Sequence, residues 1–204
     1  MAQCLSRSFY LRHDVCRIAR ELLGKVLVTH FDGVLTSGLI VETEAYAGVT
    51  DRASHAYGGR RTARTEIMYA GGGVAYVYLC YGIHHLFNVV TNQADTPHAV
   101  LIRAVQPLDG INYMLERRKK SKLCPILTAG PGAMSEALGI KTQHTGTDLI
   151  ESSLLYIEDR GRKVPGKNII SSTRVGVAYA GEDAFLPYRF WIHQNPFVSK
   201  GKGL

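Results

Sequence analysis

The sequence predicts an α+β fold in which an antiparallel β-sheet is flanked by separate helices. β-branched and apolar runs come in pairs that are joined by short turn sequences. Residues with helical spacing occur in other stretches, apart from these pairs. The chain contains no internal repeat, low-complexity tract or Pro/Ser-rich linker. We therefore expect residues 1–204 to form one compact domain.

The first half of the chain predicts one helix and two hairpins. Asp14 is a candidate N-cap for a helix whose apolar residues recur at helical spacing up to Gly24. The dipeptide Asp32-Gly33 favours a two-residue hairpin turn, and Gly82 marks the second hairpin. Residues 47–73 lack a clear period and predict a long surface segment, a type that is often functional. The predicted strands are 25–31, 34–46, 74–81, 84–91 and 98–106.

The second half predicts shorter elements. Asp109 is a candidate N-cap for a helix over 110–119, and Gly139 ends a second helix over 132–138. Three further strands are predicted at 154–157, near 175–179 and at 188–193. Together with the two hairpins, these strands predict one sheet large enough to cover a sizeable core.

Composition and histidine spacing exclude several classes of protein. Hydrophobic residues make up 46% and charged residues 20% of the chain, as in globular domains. No stretch approaches the roughly 18 apolar residues of a spanning helix, and the first residues lack a secretory apolar core. We expect a protein of the cytoplasm and nucleoid, or of the nucleus if the source is eukaryotic, without membrane contact. The four cysteines form no C-x-x-C pair and the eight histidines no H-E-x-x-H motif, so we expect neither metal nor cofactor.

The charge balance favours a polyanionic partner. Lysine and arginine number 24 against 17 acidic residues, which gives a net charge of +7. Arg60 and Arg64 lie with Arg52 and Arg61 in the segment 47–73 and are candidate phosphate contacts. A solvated basic loop is the equally simple alternative.

Two glutamates lie within an apolar run of a predicted strand. While this strand stays extended, Ile40, Glu42, Glu44 and Tyr46 share one face. A solvated face would explain them, but glutamate is rare within an apolar run unless it is paired or catalytic. Arg103 lies in another apolar strand and is a candidate partner for either glutamate.

Aromatic residues cluster in the second hairpin. Tyr76 and Tyr78 share one face of the strand, whereas Tyr81 lies at the Gly82 turn. Core packing explains most aromatic strands, but a bulky side chain at a hairpin tip is better placed as a wedge between base pairs. His55 follows the strand that carries Glu44 closely enough to fold over its end.

Several segments, in order over nearly the whole chain, resemble the alkyladenine (3-methyladenine) DNA glycosylase family. The most specific are V-E-T-E-A-Y and Y-V-Y-x-x-Y-G. The matching segments are 21–28, 40–46, 76–78 with 81–82, 100–104, 130–132 and 174–177.

This resemblance implies one domain around a curved antiparallel sheet, with a protruding hairpin that enters the DNA minor groove. Tyr81 matches the residue that fills the gap left by the extruded nucleotide, and Glu44 matches the general base. Tyr46, His55 and Tyr78 match the side chains that sandwich and hydrogen-bond the base. Asn88 matches a residue that keeps guanine out, and Arg103 one beside the catalytic water and the phosphate.

The implied activity is base-excision repair by a monomeric, monofunctional glycosylase of duplex DNA. It removes alkylated or deaminated purines of the 3-methyladenine, 7-methylguanine, hypoxanthine and ethenoadenine class and leaves an abasic site. Ile83, His84 and a longer turn before Arg103 depart from the family pattern. Two alternatives stay open: a nucleic-acid-binding module without catalysis, and a hydrolase of free nucleosides.

Overall fold

Nine strands form one curled antiparallel sheet in the computed structural model, which describes residues 3–204. The amino-terminal strands are β1 (Gln3–Cys4), β2 (Val26–Phe31), β3 (Val34–Tyr46), β4 (Ala75–Cys80) and β5 (His84–Thr91). The others are β6 (His98–Pro107), β7 (Leu155–Asp159), β8 (Ile169–Ser172) and β9 (Arg189–Ile192). Their main order is β1-β7-β2-β3-β6-β5-β4. This arrangement confirms the predicted α+β domain.

Residues 3–204 also form four α-helices, which are α1 (Arg7–Tyr10), α2 (Val15–Leu22), α3 (Ile111–Arg117) and α4 (Pro131–Leu138), together with several short 3₁₀ segments. None of the helices within residues 3–204 combines the length and apolar character needed to cross a lipid bilayer. Asp14 caps α2 as predicted, because its carboxylate accepts the backbone N–H of Arg17 at 2.9 Å. Ile18 and Leu22 of α2 are fully buried against the sheet, together with Phe87 of β5.

Strand β3 pairs along both edges and bends in its middle. β2 pairs with its first half as far as Leu39, and β9 takes the same edge at residues 42–44. The register against β6 shifts on both sides of Glu42, which marks a β-bulge. The bulge turns the second half of β3 and places Glu42 and Glu44 between β6 and β9.

The bulge corrects one expectation about which residues share a face. Thr43 faces α2, since its hydroxyl donates to the carbonyl oxygen of Ala19 at 2.9 Å. Ile40 packs in the same core cluster as Ala45, on the side that Thr43 faces. Ile40 therefore does not share the face of Glu42 and Glu44, because the extra residue shifts the alternation.

Two other expectations about local structure are wrong. Residues 178–185 form a 3₁₀ segment rather than a strand near 175–179, and the neighbouring strand is β8. Gly110 is the N-cap of α3, because the Asp109 carboxylate instead binds Ser37 and Arg160. By contrast, the Asp32-Gly33 turn is confirmed: φ is 54° and 75°, as a type I′ hairpin turn requires.

Asp51 ties the long segment 47–73 to the rest of the domain. Its carboxylate accepts the backbone N–H groups of Ala47 and Ala53, each at 3.0 Å. The same carboxylate pairs with both terminal nitrogens of Arg174, at 2.5 and 2.9 Å. Both side chains of this ion pair are essentially without solvent contact. Removing one charge would leave the other buried and unpaired.

We therefore expect Asp51→Asn to lower the free energy of unfolding by about 3 kcal/mol, because the Arg174 guanidinium loses its counter-charge. Urea denaturation at neutral pH measures this loss. Asp95→Asn is the matched control, because Asp95 pairs with Arg61 at an exposed site and should unfold like the wild type. Equal stability of the two variants would contradict the anchoring role of Asp51.

Candidate active site

A cavity of about 650 Å³ opens where the end of β3, the β4–β5 hairpin and the segment 47–73 meet. Its volume is in the range typical of small-molecule pockets. The sequence and the family resemblance together give nine candidate residues for catalysis, base binding, insertion into DNA or phosphate contact. Eight of them line this cavity, and the ninth, Arg60, does not. The eight are Glu44, Tyr46, His55, Arg64, Tyr78, Tyr81, Asn88 and Arg103.

Glu44 is a fully buried carboxylate at the floor of the cavity. Its Oε1 accepts the backbone N–H of Val175 at 2.8 Å and lies 3.2 Å from Nη1 of Arg103. Its Oε2 accepts the hydroxyl of Tyr46 at 2.9 Å. Each carboxylate oxygen has two acceptor positions, so Oε2 keeps one for a further donor such as water.

Burial and the adjacent Glu44 carboxylate raise the pKa of Tyr46 well above its ordinary value. The Tyr46 hydroxyl therefore stays protonated and continues to donate to Glu44 at neutral pH. This donor helps to compensate the cost of burying a charged carboxylate.

Glu42 differs from Glu44 although both are buried. Its Oε1 accepts Nε of Arg103 and Nε of Arg189, each at 2.7 Å, and the hydroxyl of Ser199 at 2.9 Å. Its Oε2 accepts the backbone N–H of Ser199 at 2.7 Å. Glu42 does not line the cavity. It is a structural carboxylate, whereas Glu44 is the one that can meet a ligand.

Arg103 lies between the two carboxylates. The sequence offered Glu42 or Glu44 as its partner, and the structure shows that it contacts both. It binds Glu42 through Nε and lies beside Glu44 through Nη1. With Arg189 included, two guanidinium groups balance two carboxylates in a buried cluster. Such pairing is what allows charged side chains to be buried beneath a pocket.

Aromatic rings form one wall of the cavity. The His55 ring meets Tyr78 edge-on, with centroids 4.7 Å apart, and its Nδ1 lies 2.8 Å from the Tyr76 hydroxyl. The guanidinium of Arg64 lies 4.9 Å from the centre of the Tyr78 ring. Tyr46 belongs to a different element, so rings from separate strands surround the same space.

The β4–β5 hairpin ends in an exposed apolar tip. Tyr81 and Gly82 adopt φ of 51° and 73°, and the Ile83 N–H donates to the Cys80 carbonyl, which is a type I′ turn. Tyr81 is 91% exposed and Ile83 is 71% exposed. Positive φ is unfavourable for tyrosine, so the turn holds this ring outside the core at a cost.

The arginines of segment 47–73 have different surroundings. Arg61 pairs with Glu66 and Asp95, which removes it as a candidate phosphate contact. Arg60 is exposed near the rim, and Arg64 lines the cavity. These two cations therefore remain the candidates for contact with a polyanion.

Several residues that line the cavity or support its walls were missed from the sequence. Arg174 donates to the Ala45 carbonyl and packs on the Tyr46 ring, while Val175 supplies the backbone N–H to Glu44. Residues 130–133 line the far side of the cavity. In the sequence, only the resemblance of segments 130–132 and 174–177 to the glycosylase family points to these residues. Within residues 3–204, no three His, Cys, Asp or Glu side chains are grouped as metal ligands.

Comparison with known proteins identifies the family. A family model described as methylpurine-DNA glycosylase matches residues 8–196. The chain belongs to this family. It is therefore a DNA glycosylase, a hydrolase of N-glycosyl bonds that acts on alkylated bases in base-excision repair.

Three bacterial relatives carry the name "Putative 3-methyladenine DNA glycosylase". The protein of Chlamydia abortus is 47% identical over 93% of this chain and 98% of its own length. Those of Bacillus mycoides and Clostridium botulinum are 46% and 44% identical, over 95% and 96% of this chain and 98% of their own lengths. In all three comparisons the aligned region covers more than nine tenths of this chain.

The burial of His55 makes the stability of this glycosylase depend on pH. Burial, with Arg64 and Arg60 nearby, lowers the pKa of His55 from 6.5 to about 4. Between these values the unfolded chain binds a proton that the folded chain does not. We expect the free energy of unfolding to fall as pH drops from 6.5 to 4, with up to about 3 kcal/mol due to His55. Chemical denaturation across this range, compared with His55→Gln, measures that part; parallel curves for the two proteins would contradict it.

Proposed function

We propose that this glycosylase extrudes a damaged purine from duplex DNA into the cavity and hydrolyses its bond to deoxyribose with a water molecule activated by Glu44. The observation that carries the proposal is a buried carboxylate, Glu44, that lines the cavity and shares it with the rings of Tyr46, His55 and Tyr78. A base stacked in a duplex cannot reach a buried carboxylate, so extrusion is required.

In the proposed reaction, Glu44 accepts a proton from water as the water oxygen bonds to the anomeric carbon. The bond between that carbon and the purine nitrogen breaks, and its electron pair leaves with the base. The Glu44 charge also stabilises the oxocarbenium-like transition state. Water is the nucleophile, so the enzyme is monofunctional and its product is an intact abasic site.

The ring walls favour alkylated purines. A 3-methyladenine or 7-methylguanine base carries positive charge, which interacts well with the faces of Tyr46 and Tyr78. The same charge lets the base leave as a neutral molecule. Hypoxanthine and ethenoadenine are uncharged, so a solvent water molecule would have to give a proton to the departing base. We therefore propose all four lesions as substrates.

Asn88 is the proposed filter against normal guanine. Its Nδ2 donates to the carbonyl oxygens of Tyr76 and Leu86, at 3.2 and 3.3 Å, which fixes the amide. A fixed group at the cavity wall cannot move away from an exocyclic amino group. Rejection of guanine would follow from this crowding.

The exposed tip of the β4–β5 hairpin and the arginines Arg60 and Arg64 are suited to contact with double-stranded DNA. Tyr81 has the size and exposure to occupy the space vacated by the extruded nucleotide. Arg60 and Arg64 supply charge for the backbone, in agreement with the net charge of +7. Free nucleosides would use neither feature. We propose double-stranded DNA as the partner, and the monomer as the active form.

Replacing Glu44 by Gln tests the catalytic assignment. We expect base release to fall by at least about a thousandfold, because the amide cannot accept a proton from water. Affinity for lesion-containing duplex should stay near the wild-type value. Single-turnover assays, with alkali to cleave abasic sites, measure the rate, and gel shift measures the affinity. Glu151→Gln, an exposed glutamate outside the cavity, is the control. An active Glu44→Gln protein would end the assignment.

Tyr81→Ser tests the wedge. We expect activity on duplex DNA to drop about tenfold or more, while activity on the same lesion in single strands changes little, because only the duplex requires stabilised extrusion. Tyr113→Ser removes another exposed tyrosine, outside the cavity, and serves as the control. Unchanged duplex activity of Tyr81→Ser would argue against insertion.

A further inference from the structure

The carboxy-terminal residues 197–201 lie directly behind the buried charge cluster. Phe197 and Val198 pack against the apolar cluster that contains Val41 and Ala104. The side-chain amide of Asn195 donates to Gln106, and its carbonyl oxygen accepts the backbone N–H of Phe197. These contacts fix the path of the chain as it approaches Ser199.

Ser199 hydrogen-bonds to both Glu42 and Arg103, which form an ion pair with each other. Its backbone N–H and hydroxyl each donate to Glu42, at 2.7 and 2.9 Å. Its hydroxyl oxygen also lies 3.3 Å from Nη2 of Arg103, which donates to it. Ser199 is nearly buried, so water does not substitute for these contacts.

Arg189 fastens the same segment from the other side. Its Nη1 donates to the carbonyl of Gly201 at 2.7 Å and its Nη2 to that of Ser199 at 3.2 Å. Gly201 is so close to Arg103 that an added Cβ would lie 3.3 Å from Nη2. The segment therefore forms the rear wall of the space that the Arg103 guanidinium occupies.

We infer that residues 199–201 act as a positioning strap, in which Ser199 sets the orientation of Arg103 beside Glu44. This inference rests on the proposed roles of Glu44 and Arg103. Ser199 does not line the cavity and is a positioning residue rather than a catalytic one.

The physical reason lies in how the three nitrogens of Arg103 are used. Nε binds Glu42, Nη2 binds Ser199, and Nη1 is left to face Glu44. Because a guanidinium is planar and rigid, binding at two of its nitrogens also fixes the position of the third nitrogen. Without the Ser199 contact, the group can rotate about its Glu42 bond and change its distance to Glu44. Misplacement of about 1 Å in a reacting group can cost up to a hundredfold in rate.

Ser199→Ala and Ser199→Thr form the test pair. Alanine removes the hydroxyl and leaves the backbone N–H to Glu42, whereas threonine retains both. With enzyme in excess over a lesion-containing duplex, we expect Ser199→Ala to release base roughly tenfold more slowly. Its affinity for the duplex should stay near wild type, because Ser199 does not line the cavity. Its melting temperature should fall by a few degrees, since Glu42 and Arg103 each lose one buried partner. Ser199→Thr should regain most of the rate.

Three results would overturn the inference: a wild-type rate for Ser199→Ala, a loss of rate matched by an equal loss of affinity for the duplex, or failure of threonine to restore the rate. The exposed Ser153→Ala variant is the control for serine removal. Glu44→Gln separates this inference from the proposed function. If that variant is inactive while Ser199→Ala is normal, only the strap is wrong; if it is active, the catalytic assignment itself is wrong.

Discussion

The buried cluster of two carboxylates and two guanidinium groups is the constraint on which the site depends. Glu44 is a carboxylate that lies where bulk solvent cannot stabilise a charge. Arg103 compensates Glu44 and Glu42 at once, and Arg189 supplies the second positive charge. Because each charge has a partner, the domain can hold a carboxylate at the floor of an aromatic pocket without the cost of an isolated buried ion.

The two glutamates of β3 have different surroundings although they lie on the same face of the strand. Side chains two residues apart point the same way, and the bulge moves Ile40, not Glu44, off the face of Glu42. Glu42 meets Arg189 and Ser199, while Glu44 lies farther along the strand and meets the cavity. One strand thus supplies a carboxylate enclosed by ion pairs and a carboxylate that lines the cavity.

The turn at Tyr81 and the Asp51–Arg174 ion pair each fix the position of side chains that lie outside the sheet. A type I′ turn holds Tyr81 outside the protein, although both its exposure and its positive φ are unfavourable. Asp51 and Arg174 meanwhile fix the segment that carries His55 and Arg64 against the end of β3. Contacts within the protein therefore hold the walls of the pocket in place.

The sequence by itself determined the fold class, both hairpins, the cap at Asp14 and eight of the residues that line the cavity, because alternation, turn dipeptides and the V-E-T-E-A-Y segment are local signals. It misplaced Ile40 and the strand near 175–179, since a bulge and a 3₁₀ segment depend on pairing with distant strands. Only the tertiary structure decided that Glu42 is enclosed by Arg103, Arg189 and Ser199. It also brought Arg174, Val175 and Ser199 to β3 from more than a hundred residues away, because hydrogen bonds between distant segments leave no period in the chain.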